Sequence, residues 1–134
     1  MLNSKAIYII EDNPNFLSQT IQYLNNKNNF SIAGYSTVEE CLLYNNYTPS
    51  LIVMNYNLNS FLPSAINGLK ALKIIKQLYK ETKILFFSNQ DSIEVALELI
   101  NEGANDYIVK ETKIENLLEQ KSLETLQKKV IELI

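Results

Sequence analysis

The chain has 134 residues, with 12 Lys and Arg against 15 Asp and Glu, a net charge of −3 and a hydrophobic fraction of 46%; that suits one domain with a sizeable core. So even a balance excludes the basic footprint of a nucleic-acid binder, and no Lys/Arg run marks a membrane surface. No apolar stretch approaches the ~20 residues of a membrane span, and the start MLNSKAIYII lacks the apolar core of a signal peptide, so a cytoplasmic protein is expected.

Strand-like and helix-like segments alternate along the chain. Ala6 to Ile10 (AIYII) reads as a strand, and Pro14 to about Lys27 as a helix with Leu17, Ile21 and Leu24 on one face. Phe30 to Ser36 is a second strand. A helix to about Asn46 follows, opened by a capping box on Thr37 and Glu40 or on Ser36 and Glu39. Leu51 to Met54 (LIVM) is an unbroken apolar run, the signature of a strand buried on both faces. After Asn55 comes a long polar loop with Pro63. Gly68 to Lys80 is then a helix with Leu69, Leu72, Ile75 and Leu78 (or Tyr79) at helical spacing. Lys83 to Phe87 is the fourth strand. Asp91 to Gly103 is a helix with Ile93, Ala96, Leu97 and Ile100 on one side and Gly103 as its stop. Asp106 to Val109 is the fifth strand, and a capping box on Thr112 and Glu115 opens the last helical region, residues 113–134.

That region has an odd pattern. At 100° per residue Ile114, Leu117 and Leu118 share one side, while Leu123, Leu126, Val130 and Leu133 lie nearly opposite. One straight helix cannot bury both against one sheet. The expectation is a break near Lys121 and Ser122; the alternative is a second half that packs on another chain, giving a homodimer through the C-terminal helix.

Five β-α units imply an α/β fold, a parallel five-stranded sheet with helices on both faces. The flavodoxin-like (βα)5 order 2-1-3-4-5 places the switch point between strands 1 and 3, and chemistry belongs at the carboxyl ends of the strands. Those ends carry Glu11 and Asp12, Asn55, Ser88 and Lys110. Adjacent carboxylates suit a hard cation such as Mg2+. A lysine and a hydroxyl suit a phosphoryl oxygen.

The absences sharpen this. There is no His, which removes His-based triads and His-ligated metals. Cys41 is the one cysteine and reads as a packed helix residue. Gly34, Gly68 and Gly103 form no phosphate loop.

From Ala6 to about Leu118 the chain resembles the receiver domain of two-component response regulators. The matching stretches are IIEDNP, PSLIVMNYNL, NGLKALKIIK, KILFFSNQDS and GANDYIVK. The resemblance implies a signalling module and not an enzyme. It implies Mg2+ held by Glu11, Asp12 and the backbone carbonyl of Asn57, phosphoryl contacts from Ser88 and Lys110, and an aromatic switch at Tyr107. It also implies a protein partner, a histidine kinase or a downstream effector, met through the fourth helix, fifth strand and fifth helix. Asn55 falls where the family has its phospho-accepting aspartate.

Two further departures are Glu111, where the family usually has Pro, and a longer loop before Gly68. A trans peptide bond is expected at Glu111, because cis without proline costs about 2.5–4 kcal/mol. An amide oxygen is no nucleophile, so no phosphorylation is expected at position 55 and only weak Mg2+ binding. Lys110 is expected to pair with Asp12. The leading reading is a receiver that acts as a protein-interaction module without phosphorylation at this position. The alternatives are a conventional phospho-accepting regulator whose aspartate has been replaced by Asn55 and, more remotely, a small-molecule-binding flavodoxin-like protein.

Overall fold

The computed structural model describes residues 5–25, 30–43, 47–57, 67–110 and 116–134, with the side chains of the last helix described from Lys121 onward. Five strands alternate with five helices: β1 (Ala6–Ile10), α1 (Pro14–Asn25), β2 (Ser31–Tyr35), α2 (Val38–Leu43), β3 (Leu51–Met54), α3 (Gly68–Leu78), β4 (Lys83–Ser88), α4 (Ile93–Asn101), β5 (Asp106–Val109) and α5 (Asn116–Leu133). The sheet is parallel throughout, in the expected order β2-β1-β3-β4-β5. Its central strands are apolar because both faces are covered. All four residues of β3 are buried. Tyr8, Ile10, Ile52, Met54, Ile84 and Phe86 face α2, α3 and α4, whereas Ile7, Ile9, Leu51, Val53, Leu85 and Phe87 face α1 and α5.

Polar side chains set the helix starts, accepting backbone N–H groups that the first turn leaves unpaired. Asn13 Oδ1 accepts from Phe16 N, Thr37 Oγ1 from Glu40 N, Asn67 Oδ1 from Lys70 N and Ser92 Oγ from Val95 N. Thr37 is thus the cap of α2, while the Glu40 carboxylate accepts from the Ser36 hydroxyl instead of closing a reciprocal box. Gly103 ends α4 with a φ of 118°, a conformation that side-chain-bearing residues rarely adopt. At Gly68 a Cβ would stand 2.8 Å from the Tyr56 ring and 3.0 Å from the Phe86 ring. Only glycine lets α3 start so close to the end of β3.

On α3 the expected face is the buried one: Leu72 and Ile75 are in the core with Leu69 packed beside them, and of the two residues offered for its end Tyr79 packs while Leu78 turns out to solvent. Two helices differ from expectation. On α4 the buried contact is Leu99, supported by Val95; Ile93, Leu97 and Ile100 point outward. A helix this rich in aliphatic residues has two apolar sides, and the Leu99 side met the sheet. The second difference is α5, which runs unbroken through Lys121 and Ser122. Leu123, Leu126 and Val130 sit in the core against the sheet and α1, so that face is not free for another chain. The Thr112–Glu115 box, the Glu111 bond and the loop after Leu58 lie outside the described residues.

The base of α5 is tied to β5. Lys129 Nζ lies 2.9 Å from Asp106 Oδ2 and 3.0 Å from Glu132 Oε2. Burial alone would raise Asp106, but hydrogen bonds from Lys129 and from the Tyr107 N–H outweigh it and hold the carboxyl below its ordinary value. Those same carboxylates push Lys129 up to about 12. A lowered carboxylate stabilises the fold above its ordinary pKa, and that stabilisation is lost as pH falls through the lowered value. Lys129→Met is therefore expected to lower the melting midpoint at neutral pH. The difference from the unsubstituted chain should vanish once Asp106 is protonated, as thermal unfolding at neutral and strongly acidic pH would report.

Candidate functional site

The parallel ladders continue one residue past each strand and so fix where the next side chains stand. Glu11 N donates to Tyr35 O at 2.9 Å, Asn55 N to Ile10 O at 3.0 Å and Lys110 N to Ser88 O at 2.8 Å. With Ile10 opposite Met54 and Ser88 opposite Val109, the ends of β1, β3, β4 and β5 come level. The cleft therefore gathers the residues expected there.

Glu11, Asn55 and Lys110 are only 5%, 7% and 6% exposed, and Ser88 is fully buried. The Lys110 ammonium donates to Glu11 Oε1 in a buried ion pair. It also lies 3.9 Å from the centre of the Phe16 ring and 5.8 Å from that of Phe87, within cation–π range. The other Glu11 oxygen, Oε2, accepts from the Asn13 N–H at 3.0 Å and from Asn55 Nδ2 at 3.3 Å. Asn55 Nδ2 also approaches the Asn57 carbonyl at 3.4 Å.

This corrects the expected Lys110–Asp12 pair. Successive side chains of an extended chain point opposite ways, so only one acid of the pair can share the side of Lys110. That acid is Glu11. Burial pushes the Glu11 carboxyl above the usual range, and Lys110 and the Asn13 N–H only partly offset it.

As a place for a hard cation the cleft offers oxygens. Asp12 Oδ2 and Asn55 Oδ1 are buried and bonded to no protein group. Among the described residues no three acidic, Cys or His side chains gather together, so amide and carbonyl oxygens such as those of Asn55 and Asn57 would have to complete a shell. The residues fit Mg2+ in kind but are short of negative charge.

Tyr107 is half-buried and stacked on Phe86, with ring centres 5.9 Å apart. Its hydroxyl donates to the Gln90 carbonyl at 2.6 Å, and burial is the main reason its pKa is raised. Gln90 N donates to Ser88 Oγ at 3.2 Å, and Ser92 N to Gln90 Oε1 at 3.0 Å. The loop between β4 and α4 is thus bonded at Gln90 to both Ser88 and Tyr107. The roles of Phe16, Asn13 and Gln90 were not foreseen. Only the Asn-Pro after the acid pair hints at them, by marking where α1 must start.

Residues 7–121 match the family model described as the response regulator receiver domain. The chemotaxis protein CheY of Bacillus subtilis is 28% identical over 116 residues, covering 83% of this chain and 90% of that protein. The transcriptional regulatory protein DegU of Brevibacillus brevis is 27% identical over 122 residues, covering 87% of this chain but 48% of that protein, so the chain spans about half of that longer relative. The chemotaxis response regulator CheY4 of Vibrio cholerae has a similar fold, with a TM-score of 0.77 at 18% identity over 98% of this chain and all of that one. Sequence match, sheet order and the side chains at the strand ends lead to one conclusion: the chain belongs to the family of response regulator receiver domains.

Proposed function

We propose that this receiver domain serves a two-component or phosphorelay pathway as a protein-interaction module, without phosphoryl transfer to position 55. One observation carries the reading: the side chain at the end of β3 is an amide whose nitrogen is bonded to Glu11 and approaches the Asn57 carbonyl. An acyl phosphate needs a carboxylate nucleophile. Asn55 keeps the shape of that group and lacks its chemistry. The residues in named roles are Asn55 at the acceptor position, Ser88 and Lys110 at the phosphoryl-contact positions, and Tyr107 as the switch aromatic.

Glu11, Asp12 and the Asn57 carbonyl make up a weakened Mg2+ site. A bound Mg2+ would supply positive charge at the mouth of the cleft. The chain's own residues do the rest: Lys110 balances Glu11, and Asn55 holds the same carboxylate from the other side.

The partner surface is the side formed by α4, β5 and α5, where a histidine kinase or a downstream effector would dock. Support comes from α4, whose Ile93 and Leu97 are 75% and 62% exposed, and from Val109 on the edge strand β5 at 42%. Aliphatic residues grouped in this way mark interaction surfaces more often than scattered ones do. A homodimer through α5 is a weaker form of the reading, because the core takes Leu123, Leu126 and Val130 and leaves Ile131 outward. Cytoplasmic placement belongs to the same reading; among the described residues no helix is long and apolar enough to cross a membrane.

The test is intact-mass measurement after incubation with Mg2+ and a small phosphoryl donor. The unsubstituted chain is expected to keep its mass. A gain of one phosphoryl group, mapped to the peptide holding Asn55, would end this reading.

A further inference from the structure

Both carboxylate oxygens of Glu11 are bonded within the chain. Each carboxylate oxygen has its own partners: Oε1 takes the Lys110 ammonium, and Oε2 takes the Asn13 N–H and the Asn55 amide. The amide has only one workable orientation. Its nitrogen stands between two acceptors, Glu11 Oε2 at 3.3 Å and Asn57 O at 3.4 Å. Turning the amide over would set an oxygen against both. A carboxylate at position 55 would do the same, with no proton between it and Glu11. Above the pair lies Phe16, whose ring is 3.9 Å from the ammonium and 5.6 Å from the Phe87 ring. Lys110 keeps only 6% of its surface exposed, and the Phe16 ring is part of what covers it.

We propose that Glu11 is the built-in counter-ion of Lys110, with Asn55 as the bridging donor and Phe16 as the cover, so that the cleft is locked in one arrangement without any ligand. This rests on the reading that position 55 receives no phosphoryl group, and it says what the cleft does instead. The lysine is not waiting for an anion, because its anion is part of the fold. Two arrangements place one carboxylate and one amide donor between positions 11 and 55: a carboxylate at 11 with an amide at 55, as here, or an amide at 11 with a carboxylate at 55. Carboxylates at both positions leave two like charges facing each other without a bridging proton, in a place where burial makes repulsion costly.

A sign reversal is the consequence. In the full chain, at neutral pH and with a metal chelator, Asn55→Asp is expected to lower the melting midpoint by a few degrees. In a Glu11→Gln background the same substitution is expected to raise the midpoint, because it restores a carboxylate beside Lys110. An effect of the same sign in both backgrounds overturns the proposal. Should the Glu11→Gln background fail to fold, the cover decides. With an amine-acylating reagent and peptide mass mapping, Lys110 is expected to react at least about tenfold more slowly than exposed Lys73. Phe16→Ala should remove most of that protection. Equal rates for Lys110 and Lys73 in the unsubstituted chain overturn the proposal as well. Phosphoryl uptake is read by intact mass on the same samples, so failure of the lock and failure of the reading at position 55 give different signals.

Discussion

Asn55→Asp is expected to turn a chain that takes up no phosphate into one that takes up a single phosphoryl group from a small donor in the presence of Mg2+. The substitution exchanges an amide for a carboxylate of the same shape at the end of β3, so the ladder bond from position 55 to Ile10 O is unaffected. It supplies the missing nucleophile. Ser88 has a hydroxyl proton to donate, since its bond to Gln90 N uses the oxygen as acceptor. Charge works in the same direction. Two carboxylates against one ammonium leave the present cleft with one net negative charge, and the variant would have two. A charge pair ~4 Å apart is worth about 4 kcal/mol at an effective dielectric near 20. Solvent and rearrangement reduce that, but tighter Mg2+ binding by about tenfold or more is expected from calorimetry. Intact mass is the primary readout. If the variant binds Mg2+ yet gains no phosphate, the rest of the cleft is not competent, and departure from the phosphorylatable receiver goes beyond one residue.

Lys110→Met should lower stability at neutral pH by about 3 kcal/mol, the usual cost of removing one partner from a buried ion pair. The loss comes less from a missing attraction than from leaving Glu11 buried as an uncompensated carboxylate. It should depend on pH in a definite direction. Burial already raises the Glu11 pKa, and Lys110 is the main influence opposing it. Without Lys110 the value rises further. A carboxyl raised above its unfolded value contributes stability that is full below the unfolded pKa and is lost as pH rises through the folded one. The penalty of Lys110→Met should therefore be largest at neutral pH and shrink as the solution is acidified and Glu11 takes a proton. Urea unfolding at pH 7 and at pH 5 measures it. A penalty of the same size at both would show that the variant fails for lost packing around Phe16 and not for a stranded charge.

How far the chain could be read before folding depends on what kind of contact each feature requires. The strands were legible because burial on both faces leaves continuous apolar runs, and LIVM at Leu51–Met54 is buried at every position. The cleft was legible because parallel ladders carry the next residue of each strand to one level, whatever the loops do. The pairing inside the cleft was not. Glu11 and Asp12 look equivalent in sequence, and only the alternation of an extended chain, together with the neighbouring lysine, separates them. On α4, Ile93 and Leu97 keep core-like spacing, but Leu99 on the other side is the residue that met the sheet. For α5 the expected break assumed that every apolar residue must face one sheet. Leu123, Leu126 and Val130 reach the core from a helix that does not break.

That unbroken helix has a mechanical consequence. Its 18 residues form a rod about 27 Å long, begun six residues after Lys110. At the far end the Lys83 ammonium, at the foot of β4, donates to the Leu133 carbonyl at 2.7 Å. A hinge at Ser122 would have let the two ends settle independently. Without one, a tilt at the cleft end is carried as a lever to the opposite rim of the sheet, where Lys83 holds the other end of the rod.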